Sequence, residues 1–138
     1  MKQITDCIKV ETNGESLINI TDYIKNLIKK YEINSGLINI FIQHTTASLI
    51  VQENADDYVK DDLISFFNNI ISKDILFKHN YEGDDDMPAH IKSCLNKTSC
   101  TFSVLKKKLI IGIWQGIFLF EHRKAKKTRK IFFHFIGE

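Results

Sequence analysis

A chain of 138 residues with a net charge of +2 has the size of one domain, and its charge commits it to neither nucleic acid nor a membrane surface. Its 43% hydrophobic and 26% charged residues are those of an ordinary folded protein, with no apolar run near the roughly 20 residues that span a bilayer. Cys7, Cys94 and Cys100 are odd in number and lack a CxxC pair, which argues against a disulfide framework or a structural zinc knot; "MKQITDCIKVETNGE" lacks a signal peptide's apolar block, so a cytoplasmic location is expected.

The elements read as one continuous α+β unit over residues 1–138. "ITDCIKVET" and "SLINI" have strand character, and Asn13-Gly14 between them predicts a hairpin. Thr21 or Asp22 can cap a first helix, whose Ile24, Leu27, Ile28 and Tyr31 recur at helical spacing. Gly36 ends that unit, and "LINIFIQHTTASLIV" follows as a buried hairpin or pair of strands. A second helix is predicted over 56–71, with Val59, Leu63, Phe66, Phe67 and Ile70 as its apolar face and Asp56 and Asp57 at its start. Pro88 suits the first turn of a short helix that carries His90 to Leu95. The last third reads as the strands "CTFSVL", "KLIIGIWQGIFLFEH" and "RKIFFHFIGE".

Polar residues interrupt this apolar pattern at three places. Gln43 to Thr46 sit in "FIQHTTASLIV", where unpartnered polar groups cost about 1–3 kcal/mol each, so they mark either a strand end entering a polar turn or a ligand site. Glu53 and Asn54 precede the second helix, and a carboxylate there can cap it. In "GIWQGIFLFEHR", Gly112 and Gly116 flank Trp114-Gln115; Trp114 by itself reads as core, and glycine in a central strand marks a close approach. Glu121 falls on the same alternating face as Gln115, so the two are expected to look into one space. The run Arg123 to Lys130 reads as a solvated hairpin tip, although Arg123 adjoins the candidate face and its fork suits phosphate.

The densest polar stretch is "NYEGDDDMPAHIK", where Glu82, Asp84, Asp85 and Asp86 crowd Gly83 just ahead of His90. Of the five histidines, none are paired at HxxxH spacing, and His134 reads as satisfied core. His79 and His90 bracket the acidic turn, and with His44 they can form a three-imidazole site with a position left for water or substrate. The neighbouring carboxylates suit magnesium, especially magnesium holding a phosphate, so zinc and magnesium both stay open. In "IFFHFI", apolar residues occupy both faces of a terminal strand, which predicts that one face meets another subunit.

Taken together, "HTTASLIVQENAD", the stretch from His79 through "YEGDDDMPAHIKSCL", and "GIWQGIFLFEHR" resemble the three signature blocks of the YjbQ family, in order and spacing across nearly the whole chain. That resemblance implies a two-sheet β-sandwich with flanking helices that assembles as a homotrimer, and a polar pocket with which a metal ion is associated. Carried over, the pocket comprises His44, Thr45, Thr46, Ser48, Glu53, Asn54, His79, Glu82, Asp85, Asp86, His90, Trp114, Gln115, Glu121 and Arg123. The position after Gly83 is often proline in relatives and is Asp84 here.

The activity attached to the family is a weak thiamine-phosphate synthesis, in which hydroxymethylpyrimidine diphosphate alkylates a thiazole phosphate and releases pyrophosphate. On that reading His44, Glu53, Glu82, Asp86 and His90 are the catalytic candidates, and magnesium on Glu82, Asp85 or Asp86 holds the leaving pyrophosphate. Thr45, Thr46, Ser48, Asn54, Gln115 and Glu121 line the substrate, Trp114 stacks on the pyrimidine, and Arg123 takes the other phosphate. A dedicated pyrophosphate site has several inward cations, and here only Arg123 is well placed. The alternatives are a divalent-metal hydrolase, with the metal on His44, His79 and His90 and with Glu53 or Glu82 as base, and a non-catalytic trimer that binds a small anion.

Overall fold

The computed structural model describes residues 1–138. Eight strands and three helices follow in the order β1 (Lys2–Asn13), β2 (Ser16–Asn19), α1 (Thr21–Lys30), β3 (Gly36–Ile42), β4 (Ala47–Glu53), α2 (Asp57–Asn69), α3 (Asp86–Leu95), β5 (Ser99–Leu105), β6 (Lys108–Leu109), β7 (Gln115–Glu121) and β8 (Lys126–Gly137). The strands form two antiparallel sheets, one of five strands ordered β1-β8-β3-β5-β6 and one of three ordered β2-β7-β4. The main core, 18 buried residues, lies between them. Ile38, Ile40, Ile42, Ile131, Phe133 and Phe135 come from the large sheet, and Ala47, Leu49, Ile117 and Leu119 from the small one. Each such aliphatic or aromatic side chain contributes roughly 1.5–3 kcal/mol when fully buried.

The expected hairpin at Asn13-Gly14 does not form, because β1 and β2 go to different sheets. Strand β8 offers β1 twelve register partners, from Lys2↔Gly137 to Asn13↔Lys126, where β2 has only four residues to offer. Strands β3 and β4 part in the same way, so "LINIFIQHTTASLIV" is a pair of strands crossing from sheet to sheet rather than a hairpin. The predicted strand over "KLIIGIWQGIFLFEH" divides into β6 and β7. Gln115 closes a turn on Gly112, its amide oxygen accepting the Gly112 N–H at 2.7 Å and its N–H donating to the Gly112 carbonyl at 3.0 Å.

Helix α1 buries Ile24 and Ile28 in the main core as its spacing requires, with Leu27 and Tyr31 packed beside them. Its N-cap is Ile20; Thr21 instead accepts the Ile117 N–H at 2.9 Å, and Asn19 accepts the Thr21 N–H at 2.9 Å. Helix α2 is capped by Asp56, which accepts the Tyr58 N–H at 2.9 Å, and not by Glu53. Leu63, Ile64 and Phe67 pack on Leu17, Phe118 and Phe120 of the small sheet, whereas Phe66 and Ile70 of the expected face are exposed. Strand β7 is therefore buried on both faces, odd positions toward the large sheet and even ones toward α2. A Cβ on Gly116 would lie 2.9 Å from the Phe118 ring and 3.0 Å from Asn54 Cβ, so this glycine marks an approach by the protein's own side chains. Tertiary pairing decides these boundaries; local propensity decides which segments are helices.

Candidate metal centre

Helix α3 begins at Asp86, two residues before Pro88, and this start builds the site. It places Asp86 and His90 four residues apart on one helical face, with Asp86 in the first turn where the helix dipole favours a carboxylate. The preceding turn is closed by Gly83 at a φ of 107°, a conformation that suits glycine, and it returns His79 to the same face. His79 Nε2 stands 2.7 Å from Asp86 Oδ2 and 2.9 Å from Glu82 Oε2, while His90 Nε2 is 3.4 Å from the same Asp86 oxygen. One donor atom from each of His79, Asp86 and His90 lies within 4.8 Å of the other two. The two imidazoles meet edge to face at a centroid separation of 5.6 Å, and Tyr81 packs on His79 from outside at 4.7 Å.

The other oxygen of Asp86 is held by Arg123. Its guanidinium reaches Asp86 Oδ1 through Nη1, Asp85 Oδ2 through Nε at 3.1 Å and the Glu82 carbonyl through Nη2 at 2.9 Å. Lys124 adds its backbone N–H to Asp85 at 2.8 Å. Burial would by itself raise the Asp86 carboxyl. The His79 hydrogen bond and the Arg123 and His90 charges outweigh it and hold the group below the usual carboxylate range. At Asp85 burial is likewise outweighed, by the Lys124 N–H and by Arg123.

Behind this cluster lies a buried polar knot. Glu121, fully buried, accepts from Thr12 Oγ1 at 2.7 Å and from Arg129 through Nε at 2.7 Å and Nη2 at 2.5 Å. Arg129 also donates to the Thr46 hydroxyl at 2.9 Å and its carbonyl at 3.2 Å. Burial pushes the Glu121 carboxyl up, and Arg129 and Thr12 more than reverse it. Glu121 Oε1 further accepts the Arg123 N–H at 3.0 Å, so the knot sets the backbone from which Arg123 reaches Asp86. Ser48, also buried, pairs with His122 Nε2 at 2.8 Å, and His122 Nδ1 has no partner. Burial, then the nearby Lys92 charge, depresses the His122 imidazole to about 3.

The sequence-derived site residues thus divide into three groups. His79, Glu82, Asp85, Asp86, His90 and Arg123 meet around the acidic turn. Thr46, Ser48 and Glu121 belong to the buried polar region. Glu53, Asn54, Trp114 and Gln115 lie at the opposite end of β4 and β7, where Glu53 pairs with Gln115 and the Asn54 N–H donates to the Trp114 carbonyl at 2.9 Å. Gln115 and Glu121 therefore do not share one space; six residues of extended strand put them about 20 Å apart. Trp114 is 62% exposed and not core. Thr45 is exposed next to Thr46.

The expected three-imidazole set is not assembled within the chain. His44 lies outside the group around Asp86, and its Nε2 accepts the Lys130 backbone N–H at 2.7 Å. Burial and the Arg129 charge lower its pKa. The basic run is not a hairpin tip, because β7 and β8 lie in different sheets and Arg123 and Arg129 are both turned inward. Arg129 and Thr12 carry no sequence signal of their role, since a cation inside a lysine-rich run gives no local sign that it is the one that is buried. Asp86-x-x-x-His90 did carry a sign, an i,i+4 ligand pair with a carboxylate in place of the first histidine.

The sequence profile described as "UPF0047 protein YjbQ-like" matches residues 6–138. UPF0047 protein YjbQ of Escherichia coli O157:H7 is 42% identical over 137 residues, 99% of this chain and 98% of that protein. UPF0047 protein sll1880 of Synechocystis is 41% identical over 138 residues, 99% of this chain and 94% of its own length. Among solved structures, a YjbQ/UPF0047 protein from Clostridium acetobutylicum superposes with a TM-score of 0.83 at 32% identity, covering 96% of this chain and 99% of its own. A YbjQ-like protein of unknown function from Sulfolobus solfataricus P2 reaches 0.85 at 26% identity, covering 99% and 100%.

Proposed function

The chain belongs to the UPF0047 family of YjbQ-like proteins, and we propose that it is a divalent-metal-dependent hydrolytic enzyme acting on a small phosphorylated molecule. The observation that carries this reading is the convergence of two imidazoles and a buried carboxylate within 4.8 Å. Two nitrogens and one oxygen fit zinc better than magnesium, which prefers an all-oxygen shell. His79, His90 and Asp86 would hold the ion. A zinc ion there would supply Lewis acidity and bring the pKa of a coordinated water toward about 7.

The remaining roles fall to the chain's own groups. Arg123 fixes Asp86 through Oδ1 and leaves Oδ2 facing the imidazoles. Glu82, 2.9 Å from His79 and half exposed, is placed to accept a proton from water at its carboxylate. Thiamine-phosphate synthesis is the narrower activity that the family resemblance suggests. It needs an anion site other than Arg123, whose nitrogens are taken up by Asp85, Asp86 and the Glu82 carbonyl. Hydrolysis is the better supported of the two because it needs one phosphorylated substrate beside the donor set, whereas the synthesis has two phosphorylated reactants to hold.

Zinc titration of the purified chain with elemental analysis tests this. One ion per chain is expected, with loss of binding in His90→Ala and Asp86→Asn and with binding kept but phosphate-ester hydrolysis lost in Glu82→Gln. Equal zinc binding by the parent and both ligand variants would sink the assignment. Formation of thiamine phosphate from the two phosphorylated precursors, abolished by His90→Ala, would instead select the narrower activity.

The same reading includes a homotrimer. Leu37 pairs with Ile136 and Phe41 with Phe132, and all four project from the outer face of the large sheet, 36–49% exposed. The exposed apolar cluster on this sheet face supports a subunit contact there. Sedimentation is expected to show a trimer, and a stable monomer at micromolar concentration would overturn it.

A further inference from the structure

A groove of about 850 Å³ runs between the C-terminal end of α2, the 71–80 segment and the start of α3. Ile71, Ile75, Leu76 and Phe77 of the 71–80 segment line it together with Met87 and Pro88 of α3. The volume lies in the range of small-molecule sites, as does this mixture of apolar walls with a few polar groups.

Lys92 at the groove is the decisive residue. It is only 4% exposed, and its ammonium donates one hydrogen bond to the Asn68 side-chain oxygen. Glu15 Oε1 stands 3.7 Å away, close enough for an ion pair but too far for a direct hydrogen bond. The other Glu15 oxygen is engaged at 2.8 Å by the Asn68 amide N–H, so Glu15 and Asn68 brace each other around the lysine. Two of the three ammonium donors therefore have no close acceptor in the protein. Lys73 and Lys124, on the same lining, form no ion pair. On the acidic side Asp85 is already matched by Arg123 and the Lys124 N–H, which leaves Asp84 as the one lining carboxylate without a partner.

We propose that this groove binds a small amphipathic oxyanion, of the class of alkyl and aryl phosphate monoesters, with its apolar body between the 71–77 segment and Met87-Pro88 and its charge near Lys92. This rests on the reading of the site given above and names its substrate class. His79 lines the groove and belongs to the donor set, so a ligand there adjoins the candidate metal centre. The groove also supplies the anion site that Arg123 cannot.

The test is methyl NMR on the full chain, zinc-loaded and chelator-treated, with hexyl phosphate and phenyl phosphate as probes and hexylammonium as control. Saturable shifts at Ile71, Ile75, Leu76 and Met87 are expected with both phosphates, and none with the ammonium. Lys92→Met and Leu76→Asp should each weaken hexyl phosphate at least tenfold. Should Lys92→Met fail to fold, the double variant Lys73→Glu, Lys124→Glu at exposed positions should give the same loss. Equal binding of hexylammonium, binding indifferent to these substitutions, or shifts confined to Leu37 and Ile136 on the outer sheet would overturn the proposal. So would groove shifts that follow protein concentration instead of probe, which would assign the groove to a second copy. Phosphate binding to a chain that takes up no zinc would leave the groove standing and remove the metal reading; zinc uptake without phosphate binding would do the reverse.

Discussion

Glu121 and Asp86 are both buried carboxylates gripped by an arginine, yet their second partners differ. Glu121 meets Arg129, Thr12 and a backbone N–H, none of which titrates near neutrality or binds metals. Asp86 meets Arg123 on one oxygen and two partly exposed imidazoles on the other. The first carboxylate is closed on all sides and joins Thr12 to Arg129 of β8; the second is held on one side and open on the other. The lesson is that a buried carboxylate–arginine pair does not mark a reactive site. The chemistry of whatever occupies the remaining lone pairs does.

Removing the arginines separates the two most strongly. Arg129→Met leaves Glu121 charged and unpaired in the interior, so a loss of about 3–5 kcal/mol is expected, read as a fall in melting temperature on the order of 10 °C. Arg123→Met frees a loop that can relax toward water, and about 1–3 kcal/mol is expected in urea unfolding. It should also weaken zinc affinity about 10- to 100-fold, as for other groups that orient a ligand, which Arg129→Met should not do. Similar stability losses with unchanged zinc affinity would erase the distinction.

His122, between the two clusters in the chain, sharpens the comparison through pH. Its folded pKa of about 3 lies below the ordinary imidazole value of 6.5, so the unfolded chain binds more protons between those limits. Stability should therefore be full above pH 6.5 and decline as pH falls toward 3, with a slope of up to about 1.4 kcal/mol per unit from this residue. The lowered pKa of His44 acts with the same sign. Urea midpoints at pH 7 and pH 5 measure it before the carboxylates begin to titrate. His122→Phe should flatten the difference, at the expense of an unpaired Ser48 hydroxyl.

Local pattern is enough for α1, for the acidic start of α2 at Asp56 and Asp57, and for placing Pro88 in the first turn of α3, because each depends on residues within a turn or two; it puts the α2 cap at Glu53, where the structure has Asp56. It also singled out His79, Glu82, Asp86 and His90, since the acidic turn and its flanking histidines are close in sequence. The partners brought from afar were legible only in part. The fork of Arg123 is a signal in the sequence, but its role as the clamp on Asp85 and Asp86 depends on a contact across 37 positions. His44 shares with His79 and His90 the ability to ligate, a chemical likeness that says nothing about distance, and it lies outside their donor set.

What the amino-acid order determined by itself, then, was the three helices, most of the strand-forming segments, the apolar face of α1 and the local acidic turn, because propensity and period act over a few residues. Which sheet each strand joined, which lysine or arginine of a basic run was drawn inside, and which imidazoles could reach one carboxylate were decided by the tertiary structure. Strand pairing and burial compare partners far apart in the chain: β1 takes the long β8 over its short neighbour, and Glu121 pairs with Arg129, the one buried cation of the β8 stretch Lys126–Lys130, while Arg123 of the same basic run turns to Asp85 and Asp86.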